Sequence, residues 1–430
     1  MPRRKRVLTA IAAGLITAVV LTGCGRTDAG GETETEAPGA AISDGPATGA
    51  IDVWAMGTEG EKLPDLVAQF KKDNPDATVN VTAVPWQDYA KKIETAVAAG
   101  ATPDATMVGS SDLASFVAGG GLDPVPDGLV ESDSFFAGAR SSTEIGDTTY
   151  AVPWYVETRV LFYRKDLAEA AGVKAPTTWD EFTTFAKGLQ SAGAKWGFSS
   201  PTGAPSTWHA VLPYMWQAGA ELTDAELTKF TFDTPEALAG LEQYQSLFTE
   251  RIANPNGPVN LGEVEPKFVS GEVGSFLSGP WEMGLLTAAG GEKFLSKVGV
   301  TPIPAGPETN TSYVGGGHFS VFKGAKNRDG AWKLVRWLSQ PETQEQWFTI
   351  SGDLPAVESA WESKTLSSDP NLAVFGEQLT NAQNAPAVTT WTQIGALIDA
   401  QAEKVAKGAS SPRDALTAIQ SGAEKIGTGN

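Results

Sequence analysis

The chain has 430 residues and a formal net charge of -19, from 51 acidic and 32 basic side chains. Phosphate binding needs clustered lysine and arginine, so this charge balance argues against a nucleic-acid-binding protein. With two histidines and one cysteine, the sequence excludes a histidine-rich metal site and any intramolecular disulfide.

The first segment is typical of an export signal. Four basic residues at 3–6 precede an apolar run from Val7 to about Val20, which is shorter than most membrane spans. The run ends in "LTGC", which resembles a bacterial lipoprotein signal, whose cysteine becomes lipidated at the new N-terminus. We therefore expect residues 1–24 to be a signal peptide and a lipid on Cys24 to hold the protein at the extracytoplasmic face of the membrane. The alternative is a chance cysteine at the end of an ordinary membrane helix.

Residues 25–49 contain mostly Gly, Thr, Glu, Ala and Pro, with almost no large apolar side chain. Such a segment cannot bury enough surface to offset the entropy lost on ordering, so we predict a flexible tether. About 380 residues remain, more than one compact core usually contains, and two domains are expected. No later apolar run approaches the length of a membrane span, so we expect a soluble protein tied to the membrane by its end.

Strand and helix patterns alternate in the first part of the chain. Compact or alternating apolar runs predict strands at 50–56, 77–84 and 104–109. Between them, apolar residues at helical spacing predict helices around 63–70 and 89–97. The repeated strand and helix unit predicts an α/β layer with a mainly parallel sheet.

Helix boundaries are marked clearly in the later part of the chain. Thr178, with a glutamate three residues later, forms a capping-box pattern, and Thr234 before Pro235 predicts a second helix start. Pro341 is predicted to separate two successive helices, and residues 356–430 are predicted to be helical throughout.

The sequence contains no familiar catalytic motif. There is no HExxH zinc motif and no GxSxG nucleophile elbow, and Cys24 is the only thiol. The glycine triplets at 119–121 and 315–317 match neither a phosphate loop nor a dinucleotide fingerprint. A glycosidase needs two carboxylates across a sugar ring, and the many acidic residues mark no such pair. An enzyme is the weaker hypothesis, and no cofactor or metal is expected.

Tryptophan is the residue type that favours a binding function. Several of the 13 tryptophans lie outside helical stripes, beside proline, glycine or polar residues: Trp54, Trp86, Trp154, Trp208, Trp281 and Trp391. An indole face packs on the C–H patches of a sugar ring, while nearby carboxylates, amides and arginine bind its hydroxyls. A single tryptophan more often packs in a core. Trp154 and Trp281 each follow a proline in a stiff segment, and we predict that both contact ligand.

The segment "YAVPWYVETR" carries Tyr155 and Glu157 at a period of two, so both side chains share one face of a strand. Arg159 continues that face. An aromatic ring, a carboxylate and a guanidinium in one row suit a polyhydroxylated ligand. The alternative is an ordinary edge strand with a solvated ion pair.

A series of longer motifs follows in order: the "LTGC" box, "YAVPWYVETRVLFYRKDL", "YMWQAGAELTD", "FVSGEVGSFLSGPWEMG", and "VGVTPIPAGP" before "GGGHFSVFKGAKNRDGAWKLVRWLSQPETQEQW". Together they resemble the extracellular sugar-binding proteins of ABC importers, of the maltose- and trehalose/maltose-binding kind. The resemblance spans roughly residues 50–425.

The resemblance implies an α/β fold, a two-lobed periplasmic-binding-protein-like clamp with a hinge and a ligand cleft between the lobes. Residues 50–162 and 313–357 would form lobe 1, and residues 163–312 and 358–430 would form lobe 2. The protein would be a monomer that captures a di- or oligosaccharide in the cleft and delivers it to ABC permease subunits in the membrane.

The resemblance also implies a set of ligand residues. Loops after two strands would bind sugar hydroxyls, the "PWYVET" face would supply a ring and an acid, and "SGPW" would supply a stacking platform. In the second lobe Trp208 is favoured over His209. The predicted ligand residues are Thr58, Glu59, Ser110, Ser111, Asp112, Trp154, Tyr155, Glu157, Arg159, Trp208, Trp281, Gly316, Gly317, His318 and Asp353.

Two of these residues carry explicit alternatives. His318 stands where trehalose/maltose binders have tryptophan, which changes the stacking expected there; the alternative is a hydrogen-bonded histidine beside a glycine turn. Asp353 occupies a loop at a family hinge position, and its alternative is a solvated turn acid.

Different functions stay open from the sequence. The same architecture could bind a non-sugar solute such as a polyol or a glycerophosphodiester, although a phosphate would favour more lysine and arginine in the cleft motifs. The sequence is also compatible with an exported carbohydrate hydrolase and with a structural surface lipoprotein.

Overall fold

The computed structural model of the protein describes residues 39–86, 88–203, 206–257 and 262–429. The predicted signal peptide, Cys24 and residues 25–38 of the predicted tether lie outside these ranges. Within them, no helix combines the length and the apolar character needed to cross a membrane.

The strands in these ranges are two to ten residues long. They are β1 (Gly49–Met56), β2 (Ala77–Val84), β3 (Ala105–Gly109), β4 (Glu144–Ile145), β5 (Thr148–Thr149), β6 (Val152–Thr158), β7 (Val160–Arg164), β8 (Ser275–Ser278), β9 (Val298–Thr301), β10 (Ser312–Val321), β11 (Leu354–Pro355) and β12 (Ala382–Gln383).

The helices connect and cover these strands. They are α1 (Gly57–Asp73), α2 (Tyr89–Ala99), α3 (Leu113–Ala118), α4 (Ala137–Ser141), α5 (Lys165–Ala171), α6 (Trp179–Ser191), α7 (Trp208–Gln217), α8 (Pro235–Thr249), α9 (Glu265–Ser270), α10 (Glu282–Gly290), α11 (Arg328–Leu338), α12 (Pro341–Ser351), α13 (Lys364–Ser367), α14 (Pro370–Leu379), α15 (Trp391–Ala406) and α16 (Pro412–Ile426), with short 3-10 helices at Ser132–Ser134, Glu292–Lys297 and Glu358–Glu362.

The local sequence signals are confirmed where they are strongest. The Thr178 hydroxyl accepts a hydrogen bond from the backbone N–H of Glu181, whose carboxylate in turn accepts from the backbone of Thr177 at 2.8 Å. Thr234 caps α8 in the same way. One helix ends at Leu338 and the next begins at Pro341, as predicted. The region after 356 is less helical than predicted, because an irregular segment with β12 separates α14 from α15.

The larger sheet has seven strands, with the order β11-β6-β10-β3-β1-β2 and with β12 beside β10. β1 is parallel to β2 and β3, as the strand and helix repeat predicts. However, β10 is antiparallel to both β3 and β6, and β11 is antiparallel to β6. The prediction of a mainly parallel sheet is therefore wrong: the sheet is mixed, because β10 enters it from a distant part of the chain.

A smaller antiparallel sheet has the order β8-β7-β9. A single residue, Arg159, separates the end of β6 in the larger sheet from the start of β7 in the smaller one. The chain returns to the larger sheet between β9 and β10. The last two helices, α15 and α16, then pack against α7 and α8 in a core that also contains Leu161 of β7. Arg159 consequently lies at the junction of the two sheets.

Candidate functional site

A cavity of about 1040 Å³ lies where the ends of the larger sheet face helices α7, α10 and α15. Its volume is at the upper end of the range of ordinary small-ligand sites. All of the predicted ligand residues except Trp154, Gly317 and His318 line it. Residues far apart in the sequence are thus brought together in one concave surface.

The carboxyl ends of β1 and β3 supply one wall of the cavity. Thr58 and Glu59 follow β1, and Ser110, Ser111 and Asp112 follow β3. Because the two strands are parallel neighbours, their carboxyl ends meet at the same edge of the sheet, where open α/β sheets bind ligands.

Hydrogen bonds hold two of these carboxylates in place. The Tyr155 hydroxyl donates to Glu59 Oε1 at 3.0 Å, and the Tyr89 hydroxyl donates to Asp112 Oδ2. Burial and the neighbouring carboxylate raise the pKa of Tyr89 well above its usual value, so this phenol remains a donor at neutral pH. Asp112 is thereby kept as an acceptor with a defined orientation.

The glycine triplet on β10 makes room for the adjacent row on β6. A side-chain carbon on Gly317 would lie 2.5 Å from the Tyr155 ring, and one on Gly315 would lie 2.7 Å from Glu157 Oε1. Gly316 has a φ of 137°, which other residues rarely adopt. The side chains of Tyr155 and Glu157 therefore cross a strand that has no side chains of its own there.

Three predicted ligand residues are corrected by the structure. Trp154 is 1% exposed and stacks on Trp347 with 4.4 Å between ring centroids. Since successive residues of a strand point to opposite faces, Trp154 cannot share the cavity face with Tyr155. Gly317 is covered by the Tyr155 ring.

His318 also points away from the cavity. It is 1% exposed, and its Nε2 lies 2.8 Å from the hydroxyl of Ser142. Burial lowers the pKa of His318 to about 3, so the ring is neutral at physiological pH. The alternative of a hydrogen-bonded structural histidine is the one that the structure supports.

The cavity lining is strongly acidic. Arg159 is the single lysine or arginine among the described lining residues. Five carboxyl groups line the cavity, those of Glu59, Asp112, Glu157, Asp353 and Asp399. Arg159 Nη1 lies 3.3 Å from Glu157 Oε2, so the positive charge is already partly neutralised.

Three of the acids are shifted toward their neutral forms: burial raises the pKa of Asp112 although Tyr89 donates to it, and Asp353 and Asp399 are shifted further. Burial, reinforced by the charge of Glu59, raises the pKa of Asp353 to about 7, although Trp347 Nε1 donates to this carboxylate at 3.0 Å. Burial raises the pKa of Asp399 to about 6, although the backbone N–H groups of Ser206 and Trp208 donate to its carboxylate and act to lower that pKa. Near neutral pH these two acids can both donate and accept hydrogen bonds.

Aromatic rings form the opposite wall of the cavity. The Trp281 ring folds over Gly279, so closely that a side-chain carbon on Gly279 would lie 2.2 Å from the ring. The Arg159 guanidinium lies 4.7 Å from the centroid of the Trp281 ring. The His209 ring stacks on Tyr313 at 4.1 Å between centroids with an interplanar angle of 17°. Burial lowers the pKa of His209 well below its usual value, so this stack is neutral.

Several residues that line the cavity were not predicted from the sequence: Trp86, His209, Tyr313, Ser351, Trp391 and Asp399. In the sequence, Trp86 and Trp391 stand out only by their position outside helical stripes. Trp208 was favoured over His209, and both line the cavity. Tyr313 precedes the glycine triplet on β10, and that proximity was the available signal. Asp399 lies inside α15, where a single acid has no distinguishing pattern.

The described residues contain no group of three or more histidine, cysteine or acidic side chains arranged to hold a metal ion. The groups that the cavity lining presents to a ligand are carboxylates, one guanidinium, hydroxyls and aromatic faces. This combination matches a ligand with many hydroxyl groups and an apolar ring surface.

Comparison with known proteins agrees with this geometry. The profile of the family described as bacterial extracellular solute-binding protein matches residues 55–345. A putative binding protein of Brucella abortus is 27% identical over 374 residues, covering 85% of this chain and 90% of the relative. The diacetylchitobiose binding protein DasA of Streptomyces coelicolor is 25% identical, covering 77% and 78%. The solved structure of the sugar-binding protein MalE from Xanthomonas citri superposes with a TM-score of 0.82 and 28% identity, covering 88% of this chain and 97% of that one.

Proposed function

Because the chain belongs to the bacterial extracellular solute-binding protein family and has the two-lobed α/β clamp fold, it is a solute-binding component of an ABC importer, and we propose that it captures a di- or oligosaccharide in the cavity. The observation that carries the sugar proposal is the cavity itself. Carboxylates and hydroxyls from the larger sheet face Trp281 and Trp208 across a space of about 1040 Å³.

The charge of the cavity bears on the class of ligand. Five carboxyl groups face one arginine that is already paired with Glu157, so an anionic ligand would have to overcome repulsion without a free cation. A neutral polyhydroxylated molecule meets no such penalty, because ionised carboxylates accept strongly from hydroxyl groups. Neutral sugars are therefore favoured over glycerophosphodiesters and other phosphorylated solutes.

The proposed mechanism is conformational. A sugar that touches both walls binds most tightly when the cavity is closed around it, so ligand shifts the population toward the closed form. The closed form would be recognised by the permease, and no bond of the sugar would be broken. We assign residues 50–162 and 313–357 to one lobe and residues 163–312 and 358–430 to the other. The change of sheet at Arg159, just before the first boundary, supports a crossing of the chain in this region.

We also propose that the mature protein is a monomer anchored by a lipid on Cys24. The support is the "LTGC" box after an apolar run and a basic start. Mass spectrometry of the membrane fraction should find a mature N-terminus at Cys24 that carries a lipid, and Cys24→Ser should carry no lipid while retaining sugar binding. A membrane-bound protein whose Cys24 is unmodified would contradict the lipid anchor.

A thermal-shift screen tests the ligand class. The protein lacking residues 1–24 is heated with maltose, trehalose, cellobiose, xylobiose, longer oligomers, polyols and glycerophosphodiesters, and products are checked by chromatography. A ligand at about 100 times its dissociation constant should add roughly 2.7 kcal/mol, a shift on the order of 3 °C for a chain of this length. A selective shift with a sugar and no product supports the proposal. A shift with glycerophosphodiesters alone, or release of smaller sugars, would contradict it.

A further inference from the structure

A hydrogen bond joins two distant segments at the rim of the cavity. The Ser115 hydroxyl donates to the backbone carbonyl oxygen of Thr389 at 2.9 Å. Ser115 lies in α3, three residues after Asp112, which lines the cavity. Thr389 lies two residues before Trp391, which also lines the cavity and begins α15. Both ends of the bond are therefore next to groups that would hold a ligand.

The two ends of this bond belong to different hydrophobic cores. Leu113 and Phe116 flank the donor and are buried in the core of the larger sheet. Val388 and Trp391 flank the acceptor and are buried in the core that α7, α8, α15 and α16 share. A rotation that opens the cavity moves one core away from the other, and it must break this bond.

The Ser115 hydroxyl points away from its own helix. Serines within helices commonly donate to a carbonyl oxygen of the preceding turn, as Ser246 does to Gln243 in α8 and Ser191 does to Gly188 in α6. Ser115 instead donates to a residue 274 positions away. This side chain therefore contributes to the contact between the two cores and not to the helix that carries it.

The acceptor carbonyl is held in place by the residues that follow α16. The Thr390 hydroxyl donates to the carbonyl oxygen of Gly427 at 2.6 Å, and the Thr389 hydroxyl donates to that of Thr428 at 3.3 Å. A side-chain carbon on Gly429 would lie 2.0 Å from Thr389 Oγ1, so this segment packs directly against the turn. An acceptor that is already fixed loses little conformational freedom when the bond forms.

We propose that Ser115 and the turn at residues 388–390 form a clasp that holds the cavity closed and sets the rate at which a bound sugar leaves. Neither Ser115 nor Thr389 lines the cavity, so Ser115 is a positioning residue that acts through the closed form. Because the bond breaks when the cavity opens, its loss should mainly increase the dissociation rate. This inference rests on the proposed function, since the cavity must close around a sugar.

Stopped-flow kinetics with the best sugar of the thermal-shift screen test the clasp. A net hydrogen bond corresponds to a factor of about 2 to 10, so Ser115→Ala should release the sugar faster by that factor, with the association rate unchanged. Ser246→Ala is the matched control, because Ser246 is also partly buried in a helix and donates to a carbonyl oxygen within that helix. Equal release rates in the two variants would overturn the clasp.

A covalent bridge at the same place provides an independent test. Cys24 is the single cysteine of the chain, so the protein lacking residues 1–24 has no thiol of its own. Ser115→Cys combined with Thr389→Cys is treated with a short bis-methanethiosulfonate after a sugar has bound, and each single variant treated in the same way is the control. Exchange of the bound sugar should slow by at least about tenfold and recover when a reductant cleaves the bridge. Exchange at the rate of the controls, or no bridge in the mass spectrum, would overturn the clasp.

These outcomes separate the clasp from the proposed function. If the unmodified protein binds sugar, and neither Ser115→Ala nor the bridge alters the release rate, the sugar-binding function stands and the clasp is rejected. If the unmodified protein binds no sugar, the proposed function fails and the clasp is rejected with it.

Discussion

At the scale of single residues, Arg159 is held from several sides at the junction of the two sheets. Its guanidinium lies 4.7 Å from the Trp281 ring centroid and 5.8 Å from that of Tyr313, and its Nη2 donates to Glu157 Oε1 at 3.3 Å. A guanidinium fixed by rings and an acid loses little conformational freedom when it binds a ligand. In the proposed function, Arg159 is therefore a prepared donor for a sugar hydroxyl.

Removing the Trp281 ring should weaken sugar binding. Trp281→Ala deletes an aromatic surface of the cavity and one of the rings beside Arg159, and we expect the affinity to fall by at least about tenfold, or 1.4 kcal/mol, with the fold retained. Calorimetric titration with the best sugar of the screen measures this change. Trp54→Ala is the control, since Trp54 lies outside the main cavity under Lys92. An unchanged affinity in Trp281→Ala would remove the stacking role.

Asp353 should make stability depend on pH in a defined direction. Burial raises the pKa of Asp353 from the ordinary value of 3.8 to about 7, so the folded protein binds this proton more tightly than the unfolded chain does. The free energy of unfolding must then decrease as pH rises between about 4 and 7 and level off above that.

Asp353→Asn isolates this contribution. Relative to the variant, the unmodified protein should lose on the order of 2 kcal/mol of stability between pH 5 and pH 8. Chemical unfolding at the two pH values measures the difference, and the exposed Glu377→Gln provides a control for a simple loss of charge. Parallel pH profiles for the unmodified protein and Asp353→Asn would show that Asp353 titrates normally.

At the scale of elements, the close approach of β6 and β10 positions the ligand row. Gly317→Ala would bring a carbon 2.5 Å from Tyr155 Cε1, so the ring must move. We expect the free energy of unfolding to fall by about 1 to 3 kcal/mol and sugar affinity to fall as well. Gly324→Ala is the control, because its added carbon would be 3.5 Å from Thr102. Equal stability and affinity in Gly317→Ala would mean that the ring is not confined by β10.

Elements with local signals were predictable, and elements defined by distant pairing were not. The spans of β1, β2 and α8 follow from periodicity and caps that a short segment contains. The antiparallel entry of β10 depends on residues more than 150 positions away on β6, and no local pattern reports it.

The same limit explains which predicted site residues lie in the cavity. Tyr155 and Glu157 share a face because of the strand period, which can be read from the sequence. The same period assigns Trp154 to the opposite face, where it is 1% exposed, so the proline before it does not indicate a ligand contact. Asp399 reaches the cavity only because α15 packs against α7, a tertiary contact without a sequence signature.

At the scale of the whole molecule, the walls of the cavity come from segments that cross between two sheets. The chain leaves the larger sheet at Arg159, builds the smaller sheet and its helices, and returns in β10. The carboxylates of Glu59, Asp112 and Glu157 follow β1 and β3 or lie on β6, while Trp208 begins α7 and Trp281 directly precedes α10, both beyond the crossing. A ligand that touches both groups therefore links the two parts. This linkage is the physical basis of the proposed closure.

The most direct test of the central claim is one calorimetric titration of the protein with the sugar that gives the largest thermal shift, followed by chromatography of the mixture. We predict saturable binding of one sugar molecule per chain and recovery of the sugar intact. Absence of saturable binding with every sugar of the screen, or recovery of smaller sugars, would contradict the assignment of this cavity as the site of a sugar-binding protein.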